Sequence, residues 1–477
     1  MRHWLVAAGL VAVAICGQVV RAQTSVERFE RQLQQIQQDT RMRINPDIPA
    51  DQRALLDYGG YFTFNFFAID DIEQNTHILR QYDLVGYARL NIDNAHEFYL
   101  RARTTYRDFN NNQSFDGEGD DTIWPTVEQA YYRFDLARYL AAYKGQTIKN
   151  NLTIQVGRQF VNWANGLVLS EYLDGGLAEV TLGNLSLQLL GGVTTHDTVD
   201  IDSSRPQFDD FTERAFYGGM LSAQLGKHRP FIYGLVQRDW NHDVQLVVGS
   251  NTTSFDYNSW YIGTGINGSI GDQMLYGVEF AYEGGKTLSN SFEPNTLTPI
   301  PQQKDQIQAA ALDARLDYLF ADTKKSRLSF ETIAATGDTN RLHTTNTFFG
   351  NAPGTRDHAF NAWGLLNTGL AFAPSVSNLI SVRVGGSMFP FPNSSLFKRF
   401  QAGTDLLAFA KYQDDAPIDE LTTDSRFLGW EPDVYVNWQV TSDVAFALRY
   451  GVFFPGTAIV DDNHPRNFFY MGVTFAF

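Results

Sequence analysis

Beyond its first 22 residues this chain has no cysteine: the single one, Cys16, sits in a leader-like start. Met1-Arg2-His3 is cationic, Leu5 to Ile15 is an apolar run, and Val20-Arg21-Ala22 offers a small-residue cleavage site. That order predicts a secretory signal peptide over residues 1–22. Ile15 is too bulky before Cys16 for a lipoprotein signal, so acylation is not expected, and disulfide and thiol chemistry are excluded from the rest. Long apolar runs are also missing. No later stretch approaches the ~18 residues of a helical membrane span. Basic charge is scarce too. Removing Arg2 and Arg21 leaves 35 basic against 53 acidic side chains, a net charge of −18, which argues against a nucleic-acid partner. There is no Gly-x-Ser-x-Gly, no phosphate-binding glycine loop and no histidine pair at metal-ligand spacing. A 40–50-residue repeat of the propeller or solenoid kind is likewise absent. No catalytic residue and no cofactor is expected.

What the chain has is alternation. In "EFYLRARTTYRDF" (97–109), arginine stands at 101, 103 and 107, while Phe98, Leu100, Ala102 and Tyr106 take the opposite parity. Successive strand side chains point to opposite faces, so this segment has one apolar and one charged face. The same holds in "NFFYMGVTFAF" (467–477), "EPDVYVNWQV" (431–440) and "ALDARLDYLF" (311–320). Each is about the 9–11 residues that cross a bilayer as a tilted strand, with Tyr and Phe crowded at the ends.

The connections are of two kinds. Short ones fall at 93–96, 226–229, 271–273, 321–326, 373–378 and 441–443; long polar ones fall at 108–125, 195–213, 284–305, 337–357, 390–427 and 455–466. Short turns on one rim and long loops on the other mark an outer-membrane barrel. The fold class expected is all-β, a transmembrane antiparallel barrel of 18 strands, with 16 as the alternative count. The strands assigned include 126–138, 166–182, 358–373 and 378–389. The body runs over 58–477. Ahead of it, 23–57 is a periplasmic segment whose "SVERFERQLQQIQQDTRMRI" carries Val26, Phe29, Leu33 and Ile36 at helical spacing. That short amphipathic helix (23–43) would form a homo-oligomer, pack against the periplasmic mouth or recruit a periplasmic partner.

If the apolar face meets outer-membrane lipid, the charged face lines the lumen. Parity selects Arg89, Arg101, Arg103, Arg107, Arg133, Arg315, Arg383 and Arg449, with Asp83, Glu97, Asp135, Asp313, Asp317, Glu331 and Asp433 as acidic partners. Focused positive charge in a low-dielectric passage attracts anions, and the planar guanidinium fork matches a carboxylate. The blander reading is that these arginines pair with lumen acids and brace the wall. Asp313-Arg315-Asp317 reads as such a brace, whereas Arg101, Arg103 and Arg107, with only Glu97 locally, read as a pathway. "DFNNNQSFDGEGD" (108–120) loosely evokes a calcium loop through Asp116, Glu118 and Asp120. However, Gln113 and Gly119 occupy positions where an EF-hand needs Gly and Glu.

Three segments resemble the alginate-export family of outer-membrane barrels: "LTIQVGRQFVNW" (152–163), "FETIAATGDTNRLHTTNTFF" (330–349) and "LGWEPDVYVNWQVTSDVAFALRYGVFFPGTA" (428–458). The resemblance implies an eighteen-strand barrel exporting an anionic polyuronate through an arginine-lined pore. It adds Arg158, in Gly157-Arg158-Gln159, to that lining, although Arg158 shares the parity of Leu152, Ile154 and Val156. The chain departs from the pattern in its Gln-rich helix and in lumen acids that rival the bases. The function expected is a channel for anionic or polyhydroxylated solutes, with export of an acidic polysaccharide such as alginate as its narrowest form. The alternatives are a general or carbohydrate-specific porin, or a barrel plugged by its long loops with an adhesin or enzymatic role.

Overall fold

The computed structural model describes residues 54–477 apart from 116, 118, 242–243, 250, 294–295, 297, 342–346 and 461–463. The signal peptide and the 23–43 helix lie outside the described residues. The first strands are β1 (Ala54–Asp70), β2 (Thr76–Ile92), β3 (His96–Phe109) and β4 (Asp121–Asp135), followed by helix α1 (Leu136–Lys144). Next come β5 (Asn151–Asn162), β6 (Ser170–Leu182), β7 (Leu185–Thr194), β8 (Arg214–Ala223) and β9 (His228–Asp239). A small separate hairpin, β10 (Gln245–Val248) and β11 (Asn251–Ser254), decorates the connection after β9. The wall resumes with β12 (Tyr257–Ile270), β13 (Met274–Leu288), β14 (Lys304–Leu319), β15 (Arg327–Ala335) and β16 (Leu379–Met388). It ends with β17 (Phe400–Lys411), β18 (Phe427–Gln439), β19 (Val444–Pro455) and β20 (Arg466–Ala476).

Eighteen of these strands form one antiparallel sheet that closes on itself where β1 pairs with β20, Tyr61 opposite Ala476. Closure leaves no unpaired edge, the condition for a sheet to sit in hydrocarbon. The outward parity carries Leu84, Phe98, Val156, Ile232, Ile262, Phe330, Leu406 and Phe475, all exposed. A soluble protein does not display such a belt. The inward parity of the same strands is buried and largely polar or small: Gln81, Asp83, Ser259, Glu283, Asp313 and Ser381.

The strand count matches the alternation, but three segments do not. Residues 358–373 form no strand; they belong to the connection between β15 and β16, whose part 357–378 dips into the barrel, and 373–378 is its end rather than a short turn. The missing strand is β17, inside the stretch expected to be a loop at 390–427. Residues 166–169 are not strand either, since β6 starts at Ser170. One physical reason covers all three: apolar residues in 358–373 and 166–169 are buried against other protein inside the barrel, and periodicity registers burial without naming the medium. In β17, Leu406 faces outward while Leu407 and Phe409 face that inner core, so no clean alternation remains.

Candidate functional site in the barrel lumen

The inward face of β2, β3 and β4 is a basic wall. Arg89 pairs with Glu97 at 2.7 Å, and the Tyr131 hydroxyl donates to the same carboxylate at 3.1 Å. Arg101 and Arg103 both reach Glu128, Arg103 at 3.1 Å, and Arg101 also donates to the Tyr172 hydroxyl at 3.1 Å. Glu128 is absent from the parity-derived acids because β4 is bulged. Arg101 faces Gln129 and Ala102 faces Val127, leaving Glu128 as the extra residue that turns inward. Arg107 stands opposite Asp121 in this ladder. Arg133 is exposed toward the short-turn rim and has no ion pair among the described residues. Asp83 accepts from Asn65, Gln81 and Thr105, a buried amide and hydroxyl network rather than an arginine bridge.

Nine strands round the ring from β3 lies β14, so the two stand across the lumen from one another. This opposite wall is richer in acid. Arg315 pairs with Asp313 at 3.0 Å and lies 3.9 Å from Glu331. Arg383 bridges Glu331 at 2.5 Å and Asp405 at 3.4 Å. Asp317 turns to Arg327 at 2.7 Å rather than to Arg315, so the expected three-residue brace is split between two partners. Arg449, buried, donates to Asn437 and to the carbonyls of Val436 and Leu448, and lies over the Tyr435 ring. Asp433 is buried beside Glu431 on β18. Fixed charges of opposite sign on facing walls set up a transverse field in a low-dielectric passage.

Two expected residues stand apart. The Asp135 carboxylate accepts the Arg138 N–H at 3.0 Å and caps α1, a service to the turn rather than to the lumen. Arg158 lies on the outward parity of β5, where it grips Asp174 of β6 through two 2.7 Å bonds and donates to the Val127 carbonyl at 2.9 Å. Above Ala130–Arg158 the β4–β5 ladder ends, and this side chain spans the seam. Of the calcium candidates, Asp116 and Glu118 lie outside the described residues, and Asp120 accepts the Phe109 N–H at 2.7 Å.

Two segments cross the lumen, and carboxylates on the wall hold them. In 163–169, the Asn165 N–H donates to Glu279 at 2.8 Å and its carbonyl accepts from Arg315 at 2.9 Å. In 357–378, the Asn361 N–H donates to Glu283 at 2.9 Å. Glu431 accepts three successive amides, those of Leu370, Ala371 and Phe372, at 2.5, 2.7 and 2.8 Å. Gly369, at φ +100°, turns the backbone so that those N–H groups converge on one carboxylate. The two segments also bind one another, Ser170 N–H to the Trp363 carbonyl at 2.7 Å and Leu365 N–H to the Gly166 carbonyl at 3.0 Å. Glu279, Glu283 and Glu431 were not among the expected site residues. Their inward parity on β13 and β18 was the available signal.

A closed barrel with a lipid-facing apolar belt and a charged, loop-crossed lumen is an outer-membrane channel. The comparisons carry the identification one step further. The sequence matches the alginate export family over residues 66–471, and the chain belongs to that family. Among solved structures, OccAB3 of Acinetobacter baumannii is similar at 11% identity and TM-score 0.54, over 88% of this chain and 99% of that one. OccAB1 of Acinetobacter baumannii is similar at 12% identity and TM-score 0.52, over 88% and 96%. OccK11 (OpdR) of Pseudomonas aeruginosa is similar at 10% identity and TM-score 0.51, over 90% and 98%. At such identities the likeness is one of fold. A search of the curated proteins found no match. The chain resides in the outer membrane of a Gram-negative bacterium, and the activity its family is named for is export.

Proposed function

We propose that this protein is a solute-selective diffusion channel for small anionic or polyhydroxylated molecules, which it sorts by charge across a loop-narrowed lumen. The observation that carries this reading is the pairing of a basic wall, Arg89, Arg101, Arg103, Arg107 and Arg133, with an acidic wall across the barrel. A solute bearing a carboxylate and several hydroxyls aligns in such a field, and the arginine forks offer it bidentate contacts. The segments 163–169 and 357–378, tied to the wall by Glu279, Glu283 and Glu431, narrow the path and favour small solutes over a thick polymer. Family membership favours a second reading, export of an acidic polysaccharide such as alginate along the same arginines.

The test is the reversal potential of the purified protein in a planar bilayer under a salt gradient, with and without oligouronate. Anion selectivity with no block by oligouronate, and a reversal potential that shows monomeric uronate to permeate, supports the small-solute reading. Concentration-dependent block by the oligomer, deepening with its length, supports the polymer. Cation selectivity indifferent to both removes the arginines from the pathway, and a silent bilayer leaves a plugged barrel.

A further inference from the structure

The lipid-facing belt is interrupted at a place the channel itself does not use. On the outer face of β15, β16 and β17, toward the short-turn rim, Gly386 stands opposite Leu328 on one side and Thr404 on the other. One step nearer the rim, Met388 stands opposite Ala402. These residues share the outward parity of Phe330, Val384 and Leu406, so small side chains leave a recess among large ones. The recess is an open groove of about 700 Å³, lined by Leu328, Met388 and Phe320 and reaching Ser326 and Pro390 at the rim. A Cβ added at Gly386 would meet only the Arg327 carbonyl oxygen, at 3.6 Å, so the floor is open.

Two turns frame the rim end of this groove. The longer, 389–399, is folded against the outer face. There the Trp438 indole N–H donates to the Leu396 carbonyl at 3.3 Å, and Phe397 stacks on the Trp438 ring with centroids 4.9 Å apart. The Phe389 N–H donates to the Lys324 carbonyl at 2.8 Å, which ties this turn to 320–326, and the Lys325 ammonium lies 5.8 Å from the Phe389 ring. Exposed Phe320, Phe391 and Phe397 mark the interfacial level. The same two turns carry Lys324, Lys325, Lys398 and Arg399, all exposed and none in an ion pair among the described residues. The nearby acids are already occupied. Asp317 holds Arg327 at 2.7 Å, and Asp322, beside Lys324, accepts the Ser326 N–H and hydroxyl at 2.8 and 2.7 Å.

We propose that this groove seats an acyl chain of one anionic phospholipid of the periplasmic leaflet, whose phosphate is met by Lys324, Lys325, Lys398 and Arg399. The short-turn rim of an outer-membrane barrel faces the periplasm, so the headgroup and the cations lie at the same level. Surrounding lipid is as apolar as the groove, so burial alone gives the chain no preference for it. Shape does: a chain that fills the recess makes the packing contacts that an unfilled void forfeits. Charge then selects the head. Lysines and arginines clustered at a membrane surface attract anionic headgroups, whereas the ammonium of a zwitterionic lipid meets like charge. A soluble acidic partner could use the four cations, but not an apolar recess on the membrane face of the wall. The site lies outside the barrel and holds whichever solute passes within.

The experiment is native mass spectrometry of the full-length, detergent-purified barrel titrated with phosphatidylglycerol or phosphatidylethanolamine of identical chains. We expect one phosphatidylglycerol to bind saturably, about tenfold or more tighter than phosphatidylethanolamine. Lys324→Gln, Lys325→Gln, Lys398→Gln and Arg399→Gln combined should bring the two lipids within about twofold of one another. Gly386→Leu fills the floor and should weaken phosphatidylglycerol about fivefold while keeping its preference over phosphatidylethanolamine. Heat-modifiable gel migration checks that each variant remains a folded barrel. Inorganic phosphate in large excess should not displace the lipid. Equal retention of the two lipids by the parent, or a preference that survives the combined replacement, overturns the proposal. So does unchanged affinity in a folded Gly386→Leu variant, which would remove the groove, or displacement by phosphate, which would leave a site for the ion alone.

Discussion

The Glu431 carboxylate on β18 accepts the Leu370 N–H at 2.5 Å, and with Ala371 and Phe372 it takes three backbone donors from a segment that has left the wall to cross the lumen. The bonds fix position as much as energy, because Phe372 is thereby stacked on Phe453 of β19 with ring centroids 4.1 Å apart. Glu431→Ala leaves three buried donors without an acceptor, at a cost of about 3 kcal/mol or more. The barrel should still fold and migrate in its heat-modifiable form, while single-channel conductance rises and becomes noisier as the segment loosens. Unaltered conductance and noise in a folded variant would sink the idea that this carboxylate holds the segment.

Glu128 is expected to restrain the basic wall, since one carboxylate answers both Arg101 and Arg103. Glu128→Gln should raise the anion-to-cation permeability ratio by roughly twofold to threefold, and Arg101→Gln with Arg103→Gln should lower it by a similar factor. Both shifts should shrink as ionic strength is raised toward 1 M. Reversal potentials across a salt gradient read both directly.

Gly157 has φ +125°, and a Cβ built there would meet the Ala130 carbonyl oxygen at 2.1 Å. The strained backbone alone costs of order 1–3 kcal/mol in a non-glycine residue, and the carbonyl is ladder backbone that cannot swing away. Gly157→Ala should therefore lower the yield of heat-modifiable barrel and the melting temperature, with the damage local to the β4–β5 seam. A variant that assembles and melts like the parent would show that the seam tolerates a shift.

The pH dependence of the connection 195–213 follows from Asp200. Burial pushes its carboxyl up, but Arg214 and Arg205 outweigh burial and hold it below the ordinary carboxylate range. A lowered folded-state value means the stabilisation is complete above the unfolded value near 4 and is lost only as pH falls through the lowered one. Limited proteolysis within 195–213 should thus be slow and flat from about pH 5 to 8 and accelerate only in stronger acid. Asp200→Asn should bring fast cleavage to pH 7, with a penalty of roughly 3–5 kcal/mol for stranding buried arginine charge. Cleavage that speeds up between pH 8 and pH 6 would contradict the sign.

How much of this was legible beforehand depends on the kind of residue. Arg101 and Arg103 were readable as inward because β3 keeps strict parity from His96 to Phe109. Glu128 was not, because a bulge inserts one residue into β4 and reverses the parity above it, and nothing in "TVEQAYY" announces the extra residue. Asp135 kept the parity of a lumen acid but caps a helix, since "LARYLAAYK" is helical only once the turn has room for it. Trp163 and Trp363 are buried in the core inside the barrel, a placement that no local pattern in the sequence announces.

The sequence by itself determined the membrane class and the two faces of most strands, while the count of eighteen came out right because the false strand at 358–373 offset the missed β17. Class and faces depend on local parity and on turn chemistry, and each segment carries them independently of the others. Only the tertiary structure decided which acid answers which arginine and that 163–169 and 357–378 enter the lumen. Those outcomes rest on contacts between residues far apart in the chain, such as Asn165 with Glu279 and Leu370 with Glu431. An inward-turned apolar segment and a lipid-facing one bury the same kind of side chain, and closure of the barrel alone separates them.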